Sequence, residues 1–167
     1  MKPTLSTSFE YEGNHILVDW YEVAHKKDIP ERAWQQVYVI GNLGGKVPLV
    51  TNARSPKPYN LPGGHVEPGE TIEQTMHREL IEECNMRVIS WEPIGYQILT
   101  DPDGTQVAQF RAYAVLEKIG DFTHDPGGAV IANTLIPISE LESHIKYGVV
   151  GERMEAIVTP RFTYTTP

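Results

Sequence analysis

Residues 64–86 read GHVEPGETIEQTMHRELIEECNM, a loop bearing glycine and proline that runs into a stretch with helical spacing. At about 3.6 residues per turn, Glu79, Glu82 and Glu83 stand at i, i+3 and i+4 and share an arc of roughly 100°. Three carboxylates so placed repel one another unless a cation neutralises them. A hard divalent ion takes oxygen ligands, and Mg2+ is commonly held by a few carboxylates together with water and substrate phosphate. The cluster therefore reads as a metal site, with Mg2+ the expected ion and Mn2+ a substitute. A lone run of this kind is more often a solvated acidic face, but that reading leaves the fixed spacing of Gly64, Glu70 and Arg78 unexplained.

The helix is predicted to open at Thr71, where Thr71 and Gln74 have the spacing of a capping box. Met76, Leu80 and Cys84 then follow at i+4, with Ile81 nearby, giving an apolar stripe beside the acidic face. Asn85 falls where a left-handed residue ends a helix, a place Asn fills second only to Gly.

Position by position, the segment resembles the signature of the Nudix hydrolases, GX5EX7REUXEEXGU, in which U is a bulky aliphatic residue. Gly64, Glu70, Arg78, Glu79, Leu80, Glu82, Glu83 and Met86 fill their places, and Leu61, Pro62 and Gly63 resemble the usual lead-in. The single departure is Asn85, where the family has Gly. Asn tolerates positive φ, so the expected consequence is a modest loss of stability with the acidic site intact.

The resemblance implies an α/β (α+β) fold, a mixed β-sheet sandwiched between α-helices, and hydrolysis of the diphosphate linkage of a small nucleoside diphosphate derivative. A nucleoside triphosphate, a nucleotide sugar and an ADP-ribose type substrate all fit. It also implies roles: Glu79, Glu82 and Glu83 hold the metal with the Gly64 carbonyl as a further ligand, Arg78 orients Glu79, and Glu70 pairs with Arg78 to brace the loop. The general base is Glu82 or an acid of the loop before the last strand, Asp121 or Asp125, with Glu82 preferred because a carboxylate near bound metal can polarise water. Two other readings stay open: removal of pyrophosphate from the 5′ end of RNA, and a noncatalytic nucleotide-sensing module.

Around this segment the pattern alternates. Ile16–Val23, Val37–Ile40 and Val47–Val50 read as strands, the last two joined by a Gly44-Gly45 turn. Val88–Thr100, with a bend near Pro93 and Gly95, is expected to form a hairpin with Gln106–Leu116 across Asp101-Pro102-Asp103-Gly104. A proline about sixteen residues past the signature marks ADP-ribose hydrolysing relatives, but Pro102 has a sufficient reason in this turn. A strand around Val130–Ile136 and a helix opened by a capping box of Ser139 and Glu142, running towards Tyr147, complete the pattern. Residues 1–33 are expected to be an extension or extra strand that could support a homodimer, and residues 158–167 a loose tail, all within one domain spanning 1–167. Arg54 and Arg111 are candidate substrate-binding residues with Asp125. Tyr59, Tyr96 and Phe110 read as core more than as base-stacking groups.

The chain of 167 residues is 40% hydrophobic with net charge −8. That content supports a proper core, and the charge disfavours binding to nucleic acid or an anionic membrane through a basic surface. No apolar run reaches the length of a membrane span and no apolar leader opens the chain, so a cytoplasmic location with a small-molecule nucleotide as partner is expected. With Cys84 the one cysteine, no internal disulfide can form.

Overall fold

The computed structural model describes residues 2–53, 55 and 57–162. Eight strands are laid out as β1 Leu5–Tyr11, β2 Asn14–Glu22, β3 Gln36–Asn42, β4 Lys46–Asn52, β5 Gly63–His65, β6 Met86–Thr100, β7 Gln106–Lys118 and β8 Val130–Pro137. Six of them form a mixed sheet in the order β1-β2-β6-β7-β3-β5, and β4 and β8 form a second, two-stranded sheet. Every pairing is antiparallel except that of β3 with β7. The helices are α1 Ile72–Cys84, α2 Leu141–Ile145 and α3 Val149–Phe162.

Alternation along the strands divides the core into two layers. On one face Val37, Val39, Ala112 and Ala114 pack with Met76, Leu80 and Cys84 of α1. On the other, Trp20, Ile40, Ile94 and Tyr113 pack with α2 and with Val150, Met154 and Val158 of α3. Helices thus cover both faces of the mixed sheet, as the resemblance implies. Ile81 lies outside the apolar stripe and is exposed. Cys84 is buried, and burial pushes its thiol well above the ordinary value, consistent with inert packing.

Several local expectations hold. Thr71 and Gln74 form the capping box, each side chain accepting the other's backbone N–H. The hairpin turns through Asp101-Gly104, with the Gly104 N–H donating to the Asp101 carbonyl. The bend near Pro93 and Gly95 is a β-bulge. There a Cβ on Gly95 would lie 2.4 Å from the Tyr21 carbonyl oxygen and 2.5 Å from the Trp20 ring. The glycine lets two strands and an indole close on one another.

The N-terminal segment supplies β1, an edge strand paired along β2. Other local expectations are corrected. Ser139 opens no capped helix: Ile138–Glu140 is a 3-10 turn leading into the five residues of α2, whose N-cap Glu140 makes no side-chain cap. The principal C-terminal helix is α3, and it continues past Pro160 to Phe162, whose ring meets Tyr113 edge to face at 5.7 Å. Residues 158–162 are therefore packed helix where a loose tail was expected. No helix among the described residues is long and apolar enough to cross a membrane.

Candidate active site

The acids of α1 are set by a short piece of backbone, β5. Its pairing with β3 places Gly63 opposite Tyr38 and Gly64 opposite Val37. The Gly63 N–H donates to Glu83 Oε2 at 2.8 Å. A Cβ on Gly64 would lie 2.5 Å from Glu79 Oε1, so the signature glycine is what lets that carboxylate rest against the strand. A side chain at position 64 would have to displace the Glu79 carboxylate.

Arg78 organises the rest. Its Nε and Nη2 grip both oxygens of Glu70 at 2.8 and 2.9 Å, the geometry of a bidentate pair. Nη1 donates to Glu79 Oε1 at 2.9 Å and to Glu82 Oε2 at 3.4 Å, and Nη2 also reaches the His65 carbonyl at 2.9 Å. Glu70 additionally accepts from the Glu67 N–H and the Thr75 hydroxyl. Hydrogen bonding from Arg78 holds the Glu70 carboxyl down at about 2. The loop is braced to the helix by a permanently charged pair.

The helix acids behave in the opposite way. Glu79 and Glu83 are 8% and 7% exposed. Burial pushes Glu83 up to about 8; the Gly63 N–H opposes this, while Glu79, Asp125 and Glu82 push further. Burial raises Glu79 as well, against the pull of Arg78. One guanidinium thus faces more acid than it can neutralise. Among the described residues no three acidic, imidazole or thiol groups close on a single point as ligands. Instead the carboxylates turn to Arg78 and to the Gly63 N–H. The donor set nonetheless suits a hard divalent ion: it is all oxygen, mutually repelling, and lies beside the backbone of Gly64.

Asp125 is 9% exposed and electrostatically coupled to Glu79 and Glu83. Its carboxylate accepts the N–H groups of Gly127, Ala129 and Val130, closing the loop before β8. Asp121 is exposed and paired with Lys118 at 2.5 Å, while its carbonyl receives the Asn85 side chain. Asn85 itself has φ 53 and ends α1 in the left-handed region.

Arg111 neither faces solvent nor opens into a cleft as a surface group; it is 1% exposed. Its guanidinium lies 4.6 Å from the Tyr38 ring centroid. Arg54 lies outside the described residues. Tyr96 stacks on Tyr21 at 4.7 Å and Phe110 meets Trp34 and Trp91 edge to face, so both are structural, and Tyr59 meets His144.

A cleft of about 220 Å³ borders the acids, lined by Tyr38, Asn60, Leu61, Gly63, Glu83 and Tyr147 among others. A larger, more open hollow of about 570 Å³ runs from Arg32 and Trp34 to Glu70 and Thr71, but it includes none of Glu79, Glu82 and Glu83. Of the three helix acids, Glu83 lines the smaller cleft. Sequence reasoning missed its tyrosines. Tyr38 could have been found as the polar-capable position between Val37 and Val39 of a strand; Tyr147 sits in an interhelical turn with no periodic signal.

A family model described as the NUDIX domain matches residues 32–153. A putative mutator protein MutT4 of Mycobacterium tuberculosis (strain CDC 1551 / Oshkosh) is 34% identical over 92 residues, 53% of this chain and 36% of that protein. The match thus spans about a third of that relative's length. Among solved structures, the Bacillus subtilis pyrophosphohydrolase BsRppH superposes with TM-score 0.64 at 24% identity, over 94% of this chain and 93% of that one. MutT from Aliivibrio salmonicida and Vibrio cholerae does so with TM-score 0.55 at 19% identity, over 73% and 96%. These two likenesses are likenesses of fold. With the family model spanning most of the chain, and with the signature residues drawn together at β5 and α1, the chain belongs to the Nudix hydrolase family.

Proposed function

We propose that the chain is a pyrophosphohydrolase that cleaves the diphosphate linkage of a small nucleoside diphosphate derivative, with water attacking phosphorus and Mg2+ or Mn2+ required. The observation that carries this reading is the excess of buried acid over Arg78 at the edge of the cleft. Glu79, Glu82, Glu83 and the Gly64 carbonyl would hold the ion, which when bound supplies charge neutralisation for the phosphates and polarises the attacking water. Glu70 and Arg78 touch no substrate; they fix where Glu79 and Glu82 point.

Glu82 is the base. It is the most exposed of the three acids, with its side chain 32% accessible and a single longer contact to Arg78. A carboxylate in that setting can take the proton of the attacking water. Asp125, by contrast, has its oxygens committed to three backbone N–H groups, and Asp121 points to solvent with Lys118.

The test is phosphate or pyrophosphate release with Mg2+ or Mn2+ across nucleoside triphosphates, ADP-ribose, nucleotide sugars and 5′-triphosphate RNA, with Glu83→Gln as blank. Turnover of one class that vanishes in the variant is expected. Binding of one of these compounds without turnover would move the reading to a nucleotide-sensing module. Turnover confined to RNA would do so for the 5′-end reading, which the net charge of −8 opposes.

A further inference from the structure

α1 ends on the one signature position that departs from the family, and the residue there does more than end the helix. Asn85 takes φ 53, and its backbone carbonyl accepts the Ile119 N–H at 3.0 Å. Its side-chain amide donates to the Asp121 carbonyl at 2.9 Å. A glycine at this position keeps the first bond and has no group to make the second. Between the two anchored residues the chain passes close to the amide, since a Cβ on Gly120 would lie 3.0 Å from Asn85 Nδ2. The end of α1 therefore grips the start of the segment that leads from β7 to β8.

That segment, residues 119–129, returns over the same helix. Phe122 packs against the core layer that holds Met76, Leu80 and Cys84 of α1, and Val130, where β8 begins, is buried in that layer. Between them Asp125 is 9% exposed. Its carboxylate accepts the N–H groups of Gly127, Ala129 and Val130 at 2.8, 2.9 and 2.9 Å. None of these three bonds reaches α1, so they fix the carboxylate within its own segment and leave its distance from the helix acids to whatever holds the segment down. The far end is held by β4, through the Ala53 N–H on the Ala129 carbonyl and the pairing of Asn52 with Val130. The near end is held by Asn85. A buried carboxylate beside Glu79 and Glu83 adds to a negative charge already in excess, and Asp125 accordingly pushes the pKa values of both acids up. The repulsion among the acids is attraction for a divalent ion, and it weakens as a charge moves away.

Resting on the hydrolase reading above, we infer that Asn85 is a positioning residue for that reaction: its bond to the Asp121 carbonyl holds the 119–129 segment closed on α1, keeps the Asp125 charge beside Glu79 and Glu83, and so tightens the binding of the divalent ion. Asn85 acts only through the segment. Asp125 acts as a fixed charge and takes no proton from water.

The test titrates Mg2+ or Mn2+ calorimetrically into the whole chain without nucleotide, so that it reads binding with no turnover. Asn85→Gly removes the side-chain bond while suiting the left-handed backbone. It is expected to weaken ion binding about three- to tenfold, the range a single hydrogen bond spans, with the Tm of the ion-free protein moved by no more than about 2 °C. A role for Asn85 in helix ending alone leaves the ion affinity where it was. In an Asp125→Asn background, where the charge is gone, Asn85→Gly is expected to weaken binding no further. The single variant decides the matter if Asp125→Asn does not fold. In turnover, Asn85→Gly is expected to raise the half-saturating Mg2+ concentration by the same factor, with kcat at saturating ion and KM for the nucleotide little changed. Equal ion affinity in the unmodified protein and Asn85→Gly, equal weakening in both backgrounds, or no ion binding by the unmodified protein would overturn the inference. A chain that hydrolyses nothing yet shows the difference in ion affinity would refute only the hydrolase reading; turnover with equal affinities would refute only the role of Asn85.

Discussion

Glu70 and Glu83 are both acids within one small site, yet they are held in opposite protonation regimes, and the contrast separates bracing from chemistry. The Glu70 carboxyl is kept at about 2, so its contribution to stability is fully present above its ordinary value of 4.5 and is lost as the pH falls through about 2. Glu70→Gln is expected to lower stability by about 2 kcal/mol at pH 7, the scale of hydrogen bonds to a charged group. In denaturant titrations repeated at falling pH, the gap between the two proteins should close between about 4.5 and about 2. A gap that stays constant down to the lower limit would show that the bidentate pair is not its source. For the helix acids the expected effect lies in rate. Glu82→Gln and Glu83→Gln should each lower kcat at least about a hundredfold, with far-UV circular dichroism unchanged. Greater damage from Asp125→Asn than from either would move the base to the loop before β8.

At the scale of elements, α1 is the most legible part of the chain because its start, stripe, acids and end are each marked by residues with one physical use. Its departure from the family signature is also interpretable. Asn85 sits at φ 53 and its side-chain N–H donates to the Asp121 carbonyl at 2.9 Å, so it joins the helix end to the following loop. Asn85→Gly is expected to change stability by no more than about 0.5 kcal/mol, since relief of the left-handed backbone offsets the lost hydrogen bond. Asn85→Ala should cost about 1–2 kcal/mol, because it loses the bond and keeps a Cβ in that region. Thermal denaturation of the two variants side by side distinguishes them. Less legible elements lack such marks. β1 carries Ser, Thr and Glu on a largely exposed edge, so little alternation signals it. α3 begins with Val149-Val150-Gly151 and contains Pro160, residues with poor helix propensity, and packing of Met154, Val158 and Phe162 against the sheet outweighs that preference. Arg111 was identifiable on its strand, but its burial depends on what α2, α3 and the turn between them bring over that face, which no local pattern records.

For the molecule as a whole, the proposed function makes a divalent ion at the acidic cluster a determinant of stability as well as of rate. Excess chelator is expected to abolish turnover, and restored Mg2+ to raise the Tm of the unmodified protein with a smaller rise in Glu83→Gln. Turnover undiminished in chelator would remove the metal from the reaction altogether. The mixed sheet has a further consequence, for biosynthesis. Gln36 and Gln109, 73 positions apart, are neighbours on its one parallel seam, and α1 lies within the loop of chain that this seam closes. Closing so long a loop is slow relative to local hairpins. During translation α1 and the β3–β5 pair that positions its acids leave the ribosome before β7, which joins β3 along the parallel seam only when the second arm of the late hairpin has emerged. On the proposed function, a nascent chain stalled in the hairpin turn displays the whole signature with its mixed sheet still unclosed, and is expected to be inert.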